Sequence, residues 1–209
     1  MVLKTAVGTV IASFLLVAAA GCGGAGGSAG DERSAPAASA DQWRPKAELP
    51  ADVRVLVRGG PVDRGGFDYE GAARGVLELQ AVLARAEYER DGPGAVLALA
   101  APGSPAADLL ESRVEDAKAA ASVPAGTYVL RGFEVSGYAA DLLQIDVCVD
   151  QSDVRLRPAD GGPAERRPDP AEDVLWAGFT MRPDAKGAWR AAEIQLTPVG
   201  TDPSHHCTE

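Results

Sequence analysis

Asp141-Leu142-Leu143-Gln144-Ile145-Asp146-Val147-Cys148-Val149 alternates along its whole length. Leu143, Ile145, Val147 and Val149 share one side of an extended chain, and Leu142, Gln144, Asp146 and Cys148 share the other. That period of two marks a β-strand with one face meant for a core. Three more segments read the same way: 127–138, 173–182 and 188–198. In the last of these Ile194 and Leu196 alternate with Glu193 and Gln195. Upstream of Gly126 the period changes. Ala72, Val76, Leu79, Leu83 and Ala86 recur at helical spacing, which predicts a helix over 69–90, stopped by Asp91-Gly92-Pro93. Residues 94–101 allow one or two helical turns. Ser104 then caps a helix that opens on Pro105 and runs to about Ala121, with Leu109, Leu110, Val114 and Ala117 turned inward. Helices first and strands afterwards predict an α+β fold, with N-terminal helices packed on an antiparallel sheet of four or more strands. Residues 53–57 read as a short strand or an extended lead-in. The Pro-, Gly- and charge-rich stretch 158–172 is expected to be a long exposed hairpin loop. No internal repeat or sustained heptad pattern is present.

The N-terminus has a different character. Lys4 precedes an apolar run over residues 6–20 that ends in Ala18-Ala19-Ala20-Gly21-Cys22. The run is shorter than the ~20 residues a membrane-spanning helix needs, and its charge placement and small-residue end are those of a signal peptide. Residues 1–21 are thus expected to be removed. Residues 22–48, dominated by Gly, Ala, Ser and Pro, are expected to form a flexible tether, and residues 49–209 a single globular domain. The alternative at Cys22 is ordinary cleavage after Ala20, which leaves a free thiol.

The chain carries 20 basic and 30 acidic side chains. A surface this acidic repels phosphate backbones, so no nucleic-acid partner is expected. It also repels anionic headgroups, so membrane attachment would have to come from a lipid and not from a basic patch.

Two motifs carry a resemblance. Ala19-Ala20-Gly21-Cys22 resembles the lipobox of bacterial lipoproteins, with Ala19 in place of the usual Leu. Val147-Cys148-Val149-Asp150-Gln151-Ser152, Gly187-Ala188-Trp189 and the late Cys207 resemble a set of actinobacterial lipoproteins whose domain is similar to the cone-shaped fold of nuclear transport factor 2-like proteins. The resemblance covers about residues 67–207. It departs from the pattern in the longer 158–172 loop and in residues 53–57. It implies acylation at Cys22, a curved sheet closing a cone, and a disulfide between Cys148 and Cys207. It implies no specific activity. Counting thiols points the same way: in an exported chain three cysteines divide into one acylated and two paired, the alternative being two separate thiols.

Residues that could carry chemistry are few. His205-His206-Cys207 suggests a soft metal site, but adjacent histidines are poorly placed to share one ion. Asp150, Asp153, Asp169, Glu172 and Asp173 would offer oxygens to a hard cation. Their spacing fits no cation loop, and Arg155, Arg157, Arg166 and Arg167 lie among them, so a solvated surface is expected. Some relatives with this cone use its open end for acid-base catalysis, and ketosteroid isomerase does so with an Asp base and a Tyr-containing oxyanion hole. Tyr128, Tyr138, Asp146 and Glu193 are the comparable strand residues here, with Asp146 expected on the outer sheet face. No phosphate loop and no nucleophile elbow is present. The expectation is therefore a non-enzymatic, lipid-anchored module at the extracytoplasmic membrane face, with no cofactor, no metal, and a protein or small-molecule partner. The competing readings are an isomerase-like enzyme and a structural envelope protein.

Overall fold

The computed structural model describes residues 43–59, 68–139, 141–199 and 207. Strand β1 (Val53–Arg58) leads to helix α1 (Tyr69–Glu89), the short helix α2 (Gly94–Leu97) and helix α3 (Pro105–Ala119). Strands β2 (Ser122–Ala139), β3 (Leu142–Asp150), β4 (Arg155–Pro158), β5 (Glu165–Arg166), β6 (Val174–Pro183) and β7 (Trp189–Pro198) follow. The seven strands form one curved sheet in the order β5-β4-β2-β3-β6-β7, with β1 on β2. All pairings are antiparallel except β1 on β2. Among the described residues no helix is long and apolar enough to cross a membrane.

The alternation in β3 settles which face is inside. Leu143, Ile145, Val147 and Val149 are buried against the helices, together with Ala177, Phe179 and Met181 of the neighbouring β6. Burying each larger aliphatic or aromatic side chain contributes roughly 1.5–3 kcal/mol. Helix α1 supplies the cover with the expected stripe, Ala72, Val76, Leu79, Leu83 and Ala86, all buried. Burial extends well beyond that stripe, to Ala73, Leu77, Val82 and Ala84, because α2, α3 and β1 also pack on α1. In α3, Leu110 and Val114 are buried as expected, while Leu109 and Ala117 are half-buried.

The turn before β7 explains the Gly-x-Trp motif. Gly187 adopts φ +79°, a conformation open to glycine and strained for other residues. The turn folds around Asp184, whose carboxylate accepts from the backbone N–H of Lys186 and Ala188. Those bonds, led by the one from Ala188, hold the Asp184 carboxyl below the usual carboxylate range. Two residues on, the Trp189 indole N–H donates to Asp68 Oδ2 at 2.9 Å. Asp68 also caps α1 by accepting from Gly71 N–H at 3.0 Å. One carboxylate therefore ties the first turn of α1 to the last strand.

Two expectations need correction. Residues 158–172 are not a bare hairpin loop. Their N-terminal end belongs to β4, which pairs with residues 122–125 of β2. Their middle forms β5, and a 3-10 helix (Pro170–Asp173) closes them. The Pro and Gly content masked short pairing that needs only two to four residues. Residues 53–57, read as a short strand or an extended lead-in, join the otherwise antiparallel sheet as a parallel strand on β2. Packing also reaches into the segment expected as tether: Trp43 is buried in the core, with its ring 6.4 Å from that of Phe133. Residues 1–42, and with them the signal peptide and Cys22, lie outside the described residues.

Candidate functional site

The helices meet the sheet at a cleft lined by Leu79, Gln80 and Leu83 of α1, Leu109, Leu110 and Arg113 of α3, and Phe179, Ile194 and Leu196 of the sheet. Seven of these nine residues are apolar because each lies on the inward phase of its element. The cleft encloses about 20 Å³. That holds little more than one water.

Arg113 is the charged residue of the lining, and Glu87 fixes it. Glu87 Oε1 accepts from Arg113 Nε at 3.0 Å and pairs with Nη2 at 2.7 Å. The Glu87 carboxylate raises the Arg113 pKa further above the ordinary arginine value. Glu87 itself is only 9% exposed. Tyr128, on the inward face of β2, lies close enough to feel both charges. Burial first, and the Glu87 charge second, push its phenol well above the ordinary tyrosine value. Beside the cleft, Glu87, Arg113 and Tyr128 thus make one ion pair and one neutral phenol. This arrangement orients donors and is poor at exchanging protons near neutral pH, where a phenol so shifted keeps its proton.

The expected site residues separate. Tyr128 faces the interior. Glu193 is exposed, and Asp146 points away from the core strip, opposite Gly178 of β6. The side chain of Tyr138 lies outside the described residues, as do His205 and His206. The acidic group near 150–173 is met by the interspersed arginines: Arg166 pairs with Asp173 and Arg167 with Glu172, both at 2.6 Å. Asp150 accepts from the Ser152 hydroxyl at 2.7 Å, and Asp169 caps the 3-10 helix. Among the described residues no cluster of His, Cys, Asp and Glu is placed to hold a metal.

Sequence reading did not single out Glu87, Gln80 or Arg113. Glu87 follows the stripe residue Ala86, and a helical wheel widened to the face covered by α3 would have put a carboxylate in the interior. That position called for a cation, and Arg113 is one turn from the buried Leu110. Cys148 and Cys207 are joined in a disulfide, with Cα atoms 5.6 Å apart. Both are buried, and Cys148 sits on the outer phase of β3 with Asp146 and Gln144, opposite Trp176 of β6.

No family model and no curated protein matches the chain. Several solved structures are similar to it. A structure of Aln2 from a Streptomyces species is 12% identical over 60% of this chain and 89% of that one, with a TM-score of 0.44. A ketosteroid isomerase-like protein from Erwinia carotovora atroseptica is 15% identical over 62% of this chain and 94% of that one, with a TM-score of 0.43. A protein from Catenulispora acidiphila is 10% identical over 66% of this chain and 99% of that one, also with a TM-score of 0.43. In its own element order and sheet pairing, the domain is an α+β fold of helices packed on a curved, mainly antiparallel sheet.

Proposed function

We propose that this chain is an exported lipoprotein, acylated at Cys22, whose domain is a non-enzymatic binding module at the extracytoplasmic face of the membrane. The observation that carries this reading is the Cys148–Cys207 disulfide. Structural disulfides persist outside the reducing cytosol. Two of the three cysteines are used in this bond, and Cys22, in its lipobox-like setting, is the third. A diacyl modification there would hold the chain stably, where a single acyl chain is marginal. Binding rather than catalysis is supported by the interior. The carboxylate most deeply set in it, Glu87, is engaged by Arg113, and the phenol of Tyr128 is held protonated.

Mass spectrometry of the native N-terminus tests the anchor. The expected result is a mature chain beginning at an acylated Cys22, and membrane release of the Cys22→Ala protein. An unmodified N-terminus, or a Cys22→Ala protein still in the membrane fraction, refutes it.

A further inference from the structure

Strand β1 buries Val53 and Val55 toward the helices, and its period of two turns Arg54, Leu56 and Arg58 the other way, where all three are exposed. Leu56, at 47%, is the only exposed large apolar side chain among the described residues. Arg54 and Arg58, on either side of it, meet no carboxylate, carbonyl or ring among the described residues, whereas every other described arginine is engaged. Asp52, just before the strand, pairs with Arg157. The positions beside them on β2 are Thr127, Val129 and Arg131, so the neighbouring strand adds a third arginine and no acid.

The chain as a whole carries a net charge of -10, so this strip reverses the character of the rest of the surface. The fold has no need of the three side chains, since none is buried and neither guanidinium holds another group. A leucine between two arginines on one strand face fits a partner that is anionic at its surface and apolar just beneath, which is the build of an anionic bilayer.

We propose that the Arg54-Leu56-Arg58 face rests on the anionic headgroups of the bilayer to which the chain is anchored. Both guanidiniums donate to lipid phosphates, and Leu56 dips toward the acyl boundary. The inference rests on the lipoprotein reading and adds to it the orientation of the domain. Each arginine at such a surface strengthens the contact about fivefold. Two of them are too few to hold so acidic a chain on the membrane, in keeping with attachment through a lipid. A tethered domain is already at high local concentration, and there the same contact selects the side that faces down. Helix α1, packed on the other side of β1, is then turned away from the bilayer.

The test couples the mature chain, residues 22–209, to a maleimide-bearing lipid through Cys22, the one cysteine outside the disulfide. Coupling replaces acylation, so orientation is read whether or not the cell acylates Cys22, which mass spectrometry of the native N-terminus decides separately. The chain is held on nanodiscs of phosphatidylcholine, alone or with about one third phosphatidylglycerol, each doped with a lipid that carries a nitroxide on its headgroup. Leucine methyl NMR then reports which side chains approach the headgroups. On the anionic discs the Leu56 methyls are expected to be broadened about fivefold more than those of Leu109 on α3, and on the neutral discs no more than them. In about 0.5 M sodium chloride, which cuts the screening length to a few Å, the excess is expected to disappear. Arg54→Gln/Arg58→Gln changes only side chains that hold nothing in the fold. It is expected to keep the methyl spectrum of the folded domain and to bring Leu56 down to the level of Leu109. Equal broadening of Leu56 and Leu109 on the anionic discs would overturn the bilayer as the occupant and leave the face to an acidic protein. A Leu56 excess that persists on neutral discs, or in the glutamine variant, would overturn the role of the two arginines.

Discussion

Replacing both Cys148 and Cys207 by Ser opens a loop of 59 residues in the unfolded chain. In the chain-entropy model, closing a loop of that length is worth about 4 kcal/mol at room temperature. Nothing in the native packing offsets the loss, since both positions are buried and serine fills less of the space. For a domain of this size the urea dependence is about 2 kcal/mol per molar, so the unfolding midpoint is expected to fall by about 2 M. The dependence itself is expected to steepen, because an uncrosslinked unfolded chain exposes more surface. The assay is equilibrium urea unfolding, followed by tryptophan fluorescence, of the oxidised wild type and the double serine variant. A midpoint shift of less than about 0.5 M, corresponding to about 1 kcal/mol, would show that the bond does not constrain the unfolded chain as argued. So would two titratable thiols in the denatured wild type.

Burial keeps Tyr128 protonated in the fold, while the unfolded chain releases that proton once pH passes the ordinary tyrosine value of 10.0. Its contribution to stability is therefore complete below that pH and is lost as pH rises beyond it, and Tyr128→Phe is expected to flatten the alkaline limb of a melting-temperature profile. Glu87→Ala strands the Arg113 guanidinium and is expected to cost about 1–2 kcal/mol in urea unfolding, less than the loss of a fully buried pair because about a third of that side chain reaches solvent. The double replacement Glu87→Leu/Arg113→Met is expected to recover most of that loss; failure to recover would show that the pair itself stabilises the fold. Gly126 has φ +134°, and a Cβ there would collide with the Asp153 carbonyl oxygen, so Gly126→Ala is expected to destabilise by several times the ~1 kcal/mol of a neutral glycine replacement. A change within about 1 kcal/mol would refute that account.

Local period was enough to read the body of this fold. The alternation in 141–149 determined that Leu143, Ile145, Val147 and Val149 line the core and that Cys148 does not. The 3.6-residue stripe of α1, with Asp91-Gly92-Pro93 behind it, marked the helix that covers them. Thiol count and the Cys148 and Cys207 contexts pointed to the one disulfide that the structure contains among its described residues. These features are legible because they depend on neighbours within a few positions, where a side chain's direction follows from backbone geometry alone.

Tertiary structure decided the rest. Val53–Arg58 has a strand's residues, but its parallel seat beside Gly126–Arg131 depends on a partner some 70 positions away. Gly126 stands where β2 passes from pairing with β4 to pairing with β1, and Gly132 at its register shift against β3, both at positive φ. Neither glycine declares its conformation in sequence. The candidate site was the least legible part. Glu87 and Arg113 are ordinary helix residues, and their pairing exists because α3 packs across the end of α1. Period tells which face of an element is apolar. Which polar group meets which across two packed elements is settled only when the elements dock, because the cost of burying a charge is offset, or not, by a partner that sequence spacing does not name.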